Sequence, residues 1–165
     1  MRFLLVILVF FILSCKKDET ANLDNKSMNF DLALGFHIYD TNGKDLLDPQ
    51  NSESYNHEEI RIYNDKNLTE DITNEFIPNG EGNLVHGPNE KGYMIGIYGK
   101  MKDIISKGLY EESYFLKLSE IDIDTIIVQV TEINNGAYIS KFVYNNNVIF
   151  DTPQSRSAWN EIIVK

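Results

Sequence analysis

The chain has one cysteine, Cys15, in 165 residues. Neither a disulfide framework nor a thiolate-rich metal centre can be built from it. Bases are scarce beside acids: 15 lysines and arginines stand against 25 aspartates and glutamates, a formal charge of −10. Such a surface repels phosphate backbones and anionic headgroups, whose capture needs clustered Lys and Arg, so nucleic acid is not expected as a partner. A P-loop, a dinucleotide fingerprint and a Gly-x-Ser-x-Gly elbow are all missing. Histidine is limited to His37, His57 and His86. The first falls opposite an apolar stripe and the others in polar stretches without short ligand spacing, which predicts surface histidines and no metal or other cofactor. What the chain does have is apolar bulk. Hydrophobic residues make up 42% and aromatics 12%, too much for disorder and enough for a core that needs no staples.

The N-terminus carries the sharpest pattern. Arg2 precedes an unbroken apolar run at residues 3–13. As a helix this run would measure about 16 Å, against about 30 Å of hydrocarbon, too short to span a bilayer and suited to the core of a signal peptide. Its last two residues open the string Ile12-Leu13-Ser14-Cys15, which resembles a bacterial lipobox. The resemblance implies cleavage after Ser14 and acylation of Cys15 with chains such as palmitate. One chain binds reversibly, whereas several, at about 0.8 kcal/mol per buried methylene, hold durably. The competing reading is an ordinary signal peptide with an incidental cysteine. Lys16-Lys17-Asp18-Glu19 is similar to the lysine-plus-acid signal that sends Bacteroidota lipoproteins to the outer cell surface. The expected organisation is a signal peptide at 1–14, an acylated cysteine and flexible tether at 15–27, and a folded domain at 28–165.

Within the domain, Met28, Phe30, Leu32, Leu34, Phe36 and Ile38 alternate with smaller or polar residues, the period-two mark of a half-buried strand. Asp40-Thr41-Asn42-Gly43 offers turn chemistry. Short alternating runs recur at 60–62, 93–97, 114–118, 126–130, 138–144, 148–150 and 162–164. Residues 74–92, with Pro78 and Pro88, read as loop or irregular edge strand. Asn145-Asn146-Asn147 reads as a hairpin turn. One short helix ending before Gly108 is predicted from Met101, Ile104 and Ile105. The pattern predicts a mainly β chain of seven or eight strands, an antiparallel β-sandwich of immunoglobulin-like or transthyretin-like type.

The strings Asp40-Thr41-Asn42-Gly43-Lys44-Asp45-Leu46-Leu47-Asp48-Pro49, Ile60-Arg61-Ile62-Tyr63, Tyr114-Phe115-Leu116-Lys117-Leu118, Asp124-Thr125-Ile126 and Val143-Tyr144-Asn145 resemble those of small Bacteroidota surface lipoproteins of uncharacterised function. The resemblance spans most of residues 28–151 and implies no catalytic residue. Asp124-Thr125-Ile126 is also similar to an O-glycosylation acceptor pattern of that phylum.

Three other kinds of group could carry chemistry. Asp40, Asn42, Asp45 and Asp48 are oxygen donors of the sort calcium uses. Counted from Asp40, however, Gly43 comes too early and Asn51 stands where an EF-hand needs glutamate, so turn chemistry is expected. Glu58-Glu59, Glu111-Glu112 and Asp122/Asp124 are carboxylate pairs, but sequence adjacency does not supply the separation across a sugar that glycosidases use. Tyr39, Tyr63 and Tyr144 are expected to share a sheet face, where exposed rings stack on sugars or anchor protein contacts. The function expected is a lipid-anchored outer-membrane protein facing outward, with a non-catalytic β-sandwich binding an unknown protein or glycan. The alternatives are an accessory glycan-binding lipoprotein and a hydrolase using acidic residues.

Overall fold

The computed structural model describes residues 29–75, 84–98, 110–133, 136–152 and 158–165. The leader, the tether, Cys15 and the helix expected near Met101 lie outside them. The described residues form ten strands: β1 Asn29–Asp31, β2 Ala33–Tyr39, β3 Arg61–Tyr63, β4 Val85–Asn89, β5 Gly92–Tyr98, β6 Tyr110–Ser119, β7 Asp122–Ile133, β8 Gly136–Tyr144, β9 Asn147–Asp151 and β10 Ala158–Val164. Single 3-10 turns at His57–Glu59 and Thr73–Glu75 flank β3.

The strands form two sheets. The large sheet runs β1-β8-β7-β6-β3, and the small one β10-β2-β5-β4. β9 shares one edge of β8 with β1: β1 pairs with residues 136–138, and β9 with residues 141–144. Leu34, Phe36, Ile38, Ile95 and Ile97 of the small sheet and Leu116, Leu118, Ile126, Phe142 and Tyr144 of the large one meet in one core. Phe36 lies 5.6 Å from the Phe142 ring and 5.7 Å from that of Tyr144. The mainly β sandwich expected from the sequence is therefore the fold.

Three differences are informative. The apolar alternation from Phe30 to Ile38 looks like one strand, yet the chain changes sheets at Leu32. Both sheets face the same core, so an alternation in sequence can run on while the hydrogen-bonding partner changes. Second, the pairing is not purely antiparallel. β1 runs parallel to β8 and β10 parallel to β2. Each of these pairs joins strands far apart in the chain, which no tight turn connects. Third, β4 is an edge strand that accommodates Pro88 beside a register shift between His86 and Asn89, as a residue lacking N–H requires.

The hairpins follow local chemistry. Tyr144 pairs with Asn147 across Asn145 and Asn146, whose φ angles are 47° and 66°. Two consecutive left-handed residues match the twist of the flanking strands, and asparagine tolerates them. In the small sheet, Gly35 and Gly96 face each other across β2 and β5. Their missing side chains make room for the indole of Trp159: a Cβ on Gly35 would come within 2.7 Å of two Trp159 ring atoms, and one on Gly96 within 3.0 Å.

Gly35→Ala should therefore cost about 1–3 kcal/mol, the usual range for overpacking. Urea unfolding measures the loss. Emission from Trp159, the one tryptophan in the chain, should change because its ring must move. A variant of unaltered stability and emission would contradict the packing described.

Candidate functional site

Three regions gather chemistry-bearing side chains. The first closes one end of the sandwich. Asp122 and Asp124 lie two residues apart at the start of β7 and share a face. Nζ of Lys165 lies 2.6 Å from Asp122 Oδ1 and 2.6 Å from Asp124 Oδ2. The Tyr55 hydroxyl donates to Asp122 at 2.5 Å, the Tyr144 hydroxyl donates to Asp124 Oδ2, and Asn145 Nδ2 donates to Asp124 Oδ1 at 2.5 Å. Asp124 is 2% exposed. Burial pushes both phenols well above their usual range. For Tyr55 a hydrogen bond to Asp122 and the carboxylate charges add to it; for Tyr144 the charge of Asp124 adds most. One ammonium shared by two carboxylates leaves no place for a phenolate. The carboxylates are thus occupied by the chain's own donors and are not presented to a substrate as a hydrolytic pair must be.

The second region is the outer side of the small sheet. His37, expected at the surface, is 0% exposed. It does lie opposite the core stripe, but the outer side of β2 is itself packed, with Trp159 and Met94 against Gly35. His37 Nδ1 lies 2.8 Å from the Tyr93 carbonyl and Nε2 lies 3.3 Å from Asn160 Oδ1, which also accepts from Asn89 Nδ2 at 3.0 Å. His57 Nε2 meets the Leu47 carbonyl at 2.5 Å, and His86 packs against Trp159 with ring centroids 6.0 Å apart. The three histidines are therefore dispersed, and no group of three His, Cys, Asp or Glu among the described residues is placed to hold a metal ion.

The third region is the outer face of the large sheet. Tyr63 on β3 pairs with Phe115 on β6, and Phe115 pairs with Thr125 on β7. Arg61, Lys117 and Ile123 form a second row in the same register. Along β6 and β7 buried residues alternate with partly or fully exposed ones, so this side meets solvent while the other fills the core. Arg61 lies 3.8 Å from Asp71 and Lys117 lies 2.5 Å from Glu120.

The tyrosines expected on one face are divided among all three regions. Tyr63 is on the open side of the large sheet. Tyr39 is on the outer side of the small sheet, its hydroxyl donating to the Lys91 carbonyl. Tyr144 is 3% exposed, turned inward and hydrogen-bonded to Asp124, and so cannot face a ligand. Sequence reasoning missed Phe115, because its pairing with Tyr63 depends on a strand register that no local pattern displays. The turn acids serve as backbone acceptors: Asp40 takes the N–H groups of Asn42 and Lys44, Asp45 those of Leu47 and Tyr93, and Asp48 that of Gln50. The hydrogen bond from the Lys44 N–H contributes most to holding Asp40 below the usual carboxylate range. Glu58 and Glu59 are exposed on a 3-10 turn, and Glu111 accepts from Gln129 at 2.5 Å. Cys15 and residues 16–19 lie outside the described residues.

Comparison of the chain with protein-family models, curated proteins and solved structures gave no match.

Two outcomes follow from the end network. Folded Tyr55 and Tyr144 hold their protons above the pH of about 10 at which unfolded tyrosine ionises. Their contribution to stability is therefore complete below pH 10 and lost as pH rises beyond it. Tyr144→Phe should flatten that alkaline loss in unfolding curves taken across pH 9–11, and an unchanged slope would count against the assignment. Asp124→Asn should destabilise more than Asp122→Asn, by about 3 kcal/mol against less than half as much. Asp124 is the more deeply buried partner, and removing one member of a buried ion pair leaves the other uncompensated. Equal losses in chemical denaturation would refute the ranking.

Proposed function

We propose that the chain is a lipid-anchored, outward-facing protein of the outer membrane whose β-sandwich binds a partner without catalysis. The observation that carries the binding part is the in-register row Tyr63–Phe115–Thr125 on the open side of the large sheet. Two rings on one water-facing side of a sheet offer apolar contact area at low conformational cost. The small sheet is less suited, since its outer side is already packed by Trp159, Met94 and His37. The non-catalytic part is favoured by Asp122 and Asp124, whose oxygens are taken up by Lys165, Tyr55, Tyr144 and Asn145. The anchor rests on the apolar run at 3–13 and on Ile12-Leu13-Ser14-Cys15, with Lys16-Lys17-Asp18-Glu19 as the export signal.

Cys15→Ser should abolish incorporation of a fatty-acid label and move the protein from the membrane to the soluble fraction. Unchanged labelling would exclude the anchor, and full protection from protease on intact cells would exclude outward display. A photo-crosslinking residue at Ser113, exposed and on the Phe115 face, tests the binding face. Adducts are expected there and not from Asn67, an exposed turn residue.

A further inference from the structure

Resting on that binding face, we infer that Tyr63 and Phe115 form a stacking platform for a neutral polysaccharide. Residues directly opposite in an antiparallel pair hold their Cβ atoms about 4.5–5.5 Å apart, so the two side chains leave the same side of the sheet from neighbouring positions, both partly exposed. An aromatic face receives the C–H groups on the flat side of a pyranose, while the sugar's hydroxyl rim needs donors and acceptors beside the ring. Those groups are in place. Arg61 and Lys117 fill the adjacent row and Thr125 extends the aromatic one. The Tyr39, Tyr55 and Tyr144 hydroxyls are consumed by Lys91, Asp122 and Asp124. That of Tyr63 makes no hydrogen bond among the described residues, which leaves it for an outside partner.

Charge selects the class of polymer. Arg61 and Lys117 are already balanced by Asp71 and Glu120, so the row offers no surplus positive potential, and a chain of net charge −10 repels a carboxylated or sulfated polymer. A polycation would shed its own hydration at a row whose acids, Asp71 and Glu120, are already taken by Arg61 and Lys117. An uncharged polymer meets neither penalty, and the paired side chains still have hydrogen-bonding capacity for its hydroxyls.

Co-sedimentation of the full-length protein in detergent micelles with insoluble cellulose, mannan and xylan tests this, with calcium alginate gel as the anionic comparison. Retention is expected on at least one neutral polymer and not on alginate. It should fall at least tenfold in Tyr63→Ala and Phe115→Ala, fall less in Tyr63→Phe, and stay unchanged in Val164→Ala, an exposed position on the small sheet. Melting curves check that the variants fold. Should Phe115→Ala fail to do so, Tyr63→Ala, on the short edge strand, carries the test alone. Equal retention by the ring variants, preference for alginate, or no retention on any neutral polymer would overturn the polysaccharide assignment. If retention is absent while Ser113 still gives protein adducts, the ligand class is wrong and the binding face stands. If both are absent, both readings fall.

Discussion

The contact of Phe36 with Phe142 and Tyr144 is where the two sheets become one molecule. β2 contributes one of those rings and β8 the other two. The Tyr144 ring, held in that contact, carries its hydroxyl to Asp124, and Asp124 in turn accepts from Lys165. Lys165 also donates its backbone N–H to the Tyr39 carbonyl, which returns the path to β2. A closed circuit of one apolar contact and several hydrogen bonds thus ties β2, β7, β8 and the residue after β10 together. The polar part of it is affordable because every oxygen of Asp124 has a donor, the condition on which a buried carboxylate stops being a liability.

That circuit also separates the two outer faces. β10 lies alongside β2 in parallel, and a register shift between Ala158 and Glu161, with Asn160 at φ 76°, turns Trp159 onto the outer side of its sheet. The small sheet therefore spends its outer aromatic on internal packing, over the Gly35–Gly96 pair. Among the described residues, the large sheet has no such covering residue in register with Tyr63 and Phe115. The difference between a ring that stabilises the fold and the rings proposed to meet a partner comes from the neighbours: glycines beneath Trp159, and charged or hydroxyl side chains around Tyr63 and Phe115.

What was legible in the sequence was what depends on nearest neighbours. Period-two alternation marked most of the strands, because one side of each faces a common core. Asn145-Asn146 marked a tight hairpin, because few residues accept two left-handed φ angles in succession. Features that join distant segments were not legible. The alternation from Phe30 to Ile38 concealed a change of sheet at Leu32. His37 read as a surface residue because nothing near it in sequence reveals Trp159 and Asn160 on a strand at the other end of the chain. Tyr144 read as a ligand contact for the same reason. Alternation placed it on a face, but which face became the core was decided by Phe36 and Phe142. The pairing of Tyr63 with Phe115 needed a register between β3 and β6, and their intervening sequence does not encode it in any local pattern.

The strand order gives the proposed anchor and the proposed platform a defined relation. The tether enters the fold at β1, one edge of the large sheet, while Tyr63 lies on β3 at the opposite edge. Four inter-strand steps of about 4.8 Å separate them, about 19 Å across the sheet. Residues 15–28, fully extended at about 3.5 Å each, reach at most about 50 Å from the lipid. A domain held by its β1 edge turns β3 and β6 toward the side remote from the attachment point. A partner too large to pass between domain and membrane can therefore reach Tyr63 and Phe115 without displacing the anchor. The same argument makes the β1 edge a poor place for a binding site, since under the proposed anchoring the lipid surface and the tether would crowd it. Strand order and the proposed lipid attachment thus favour the edge of the molecule that carries the two rings.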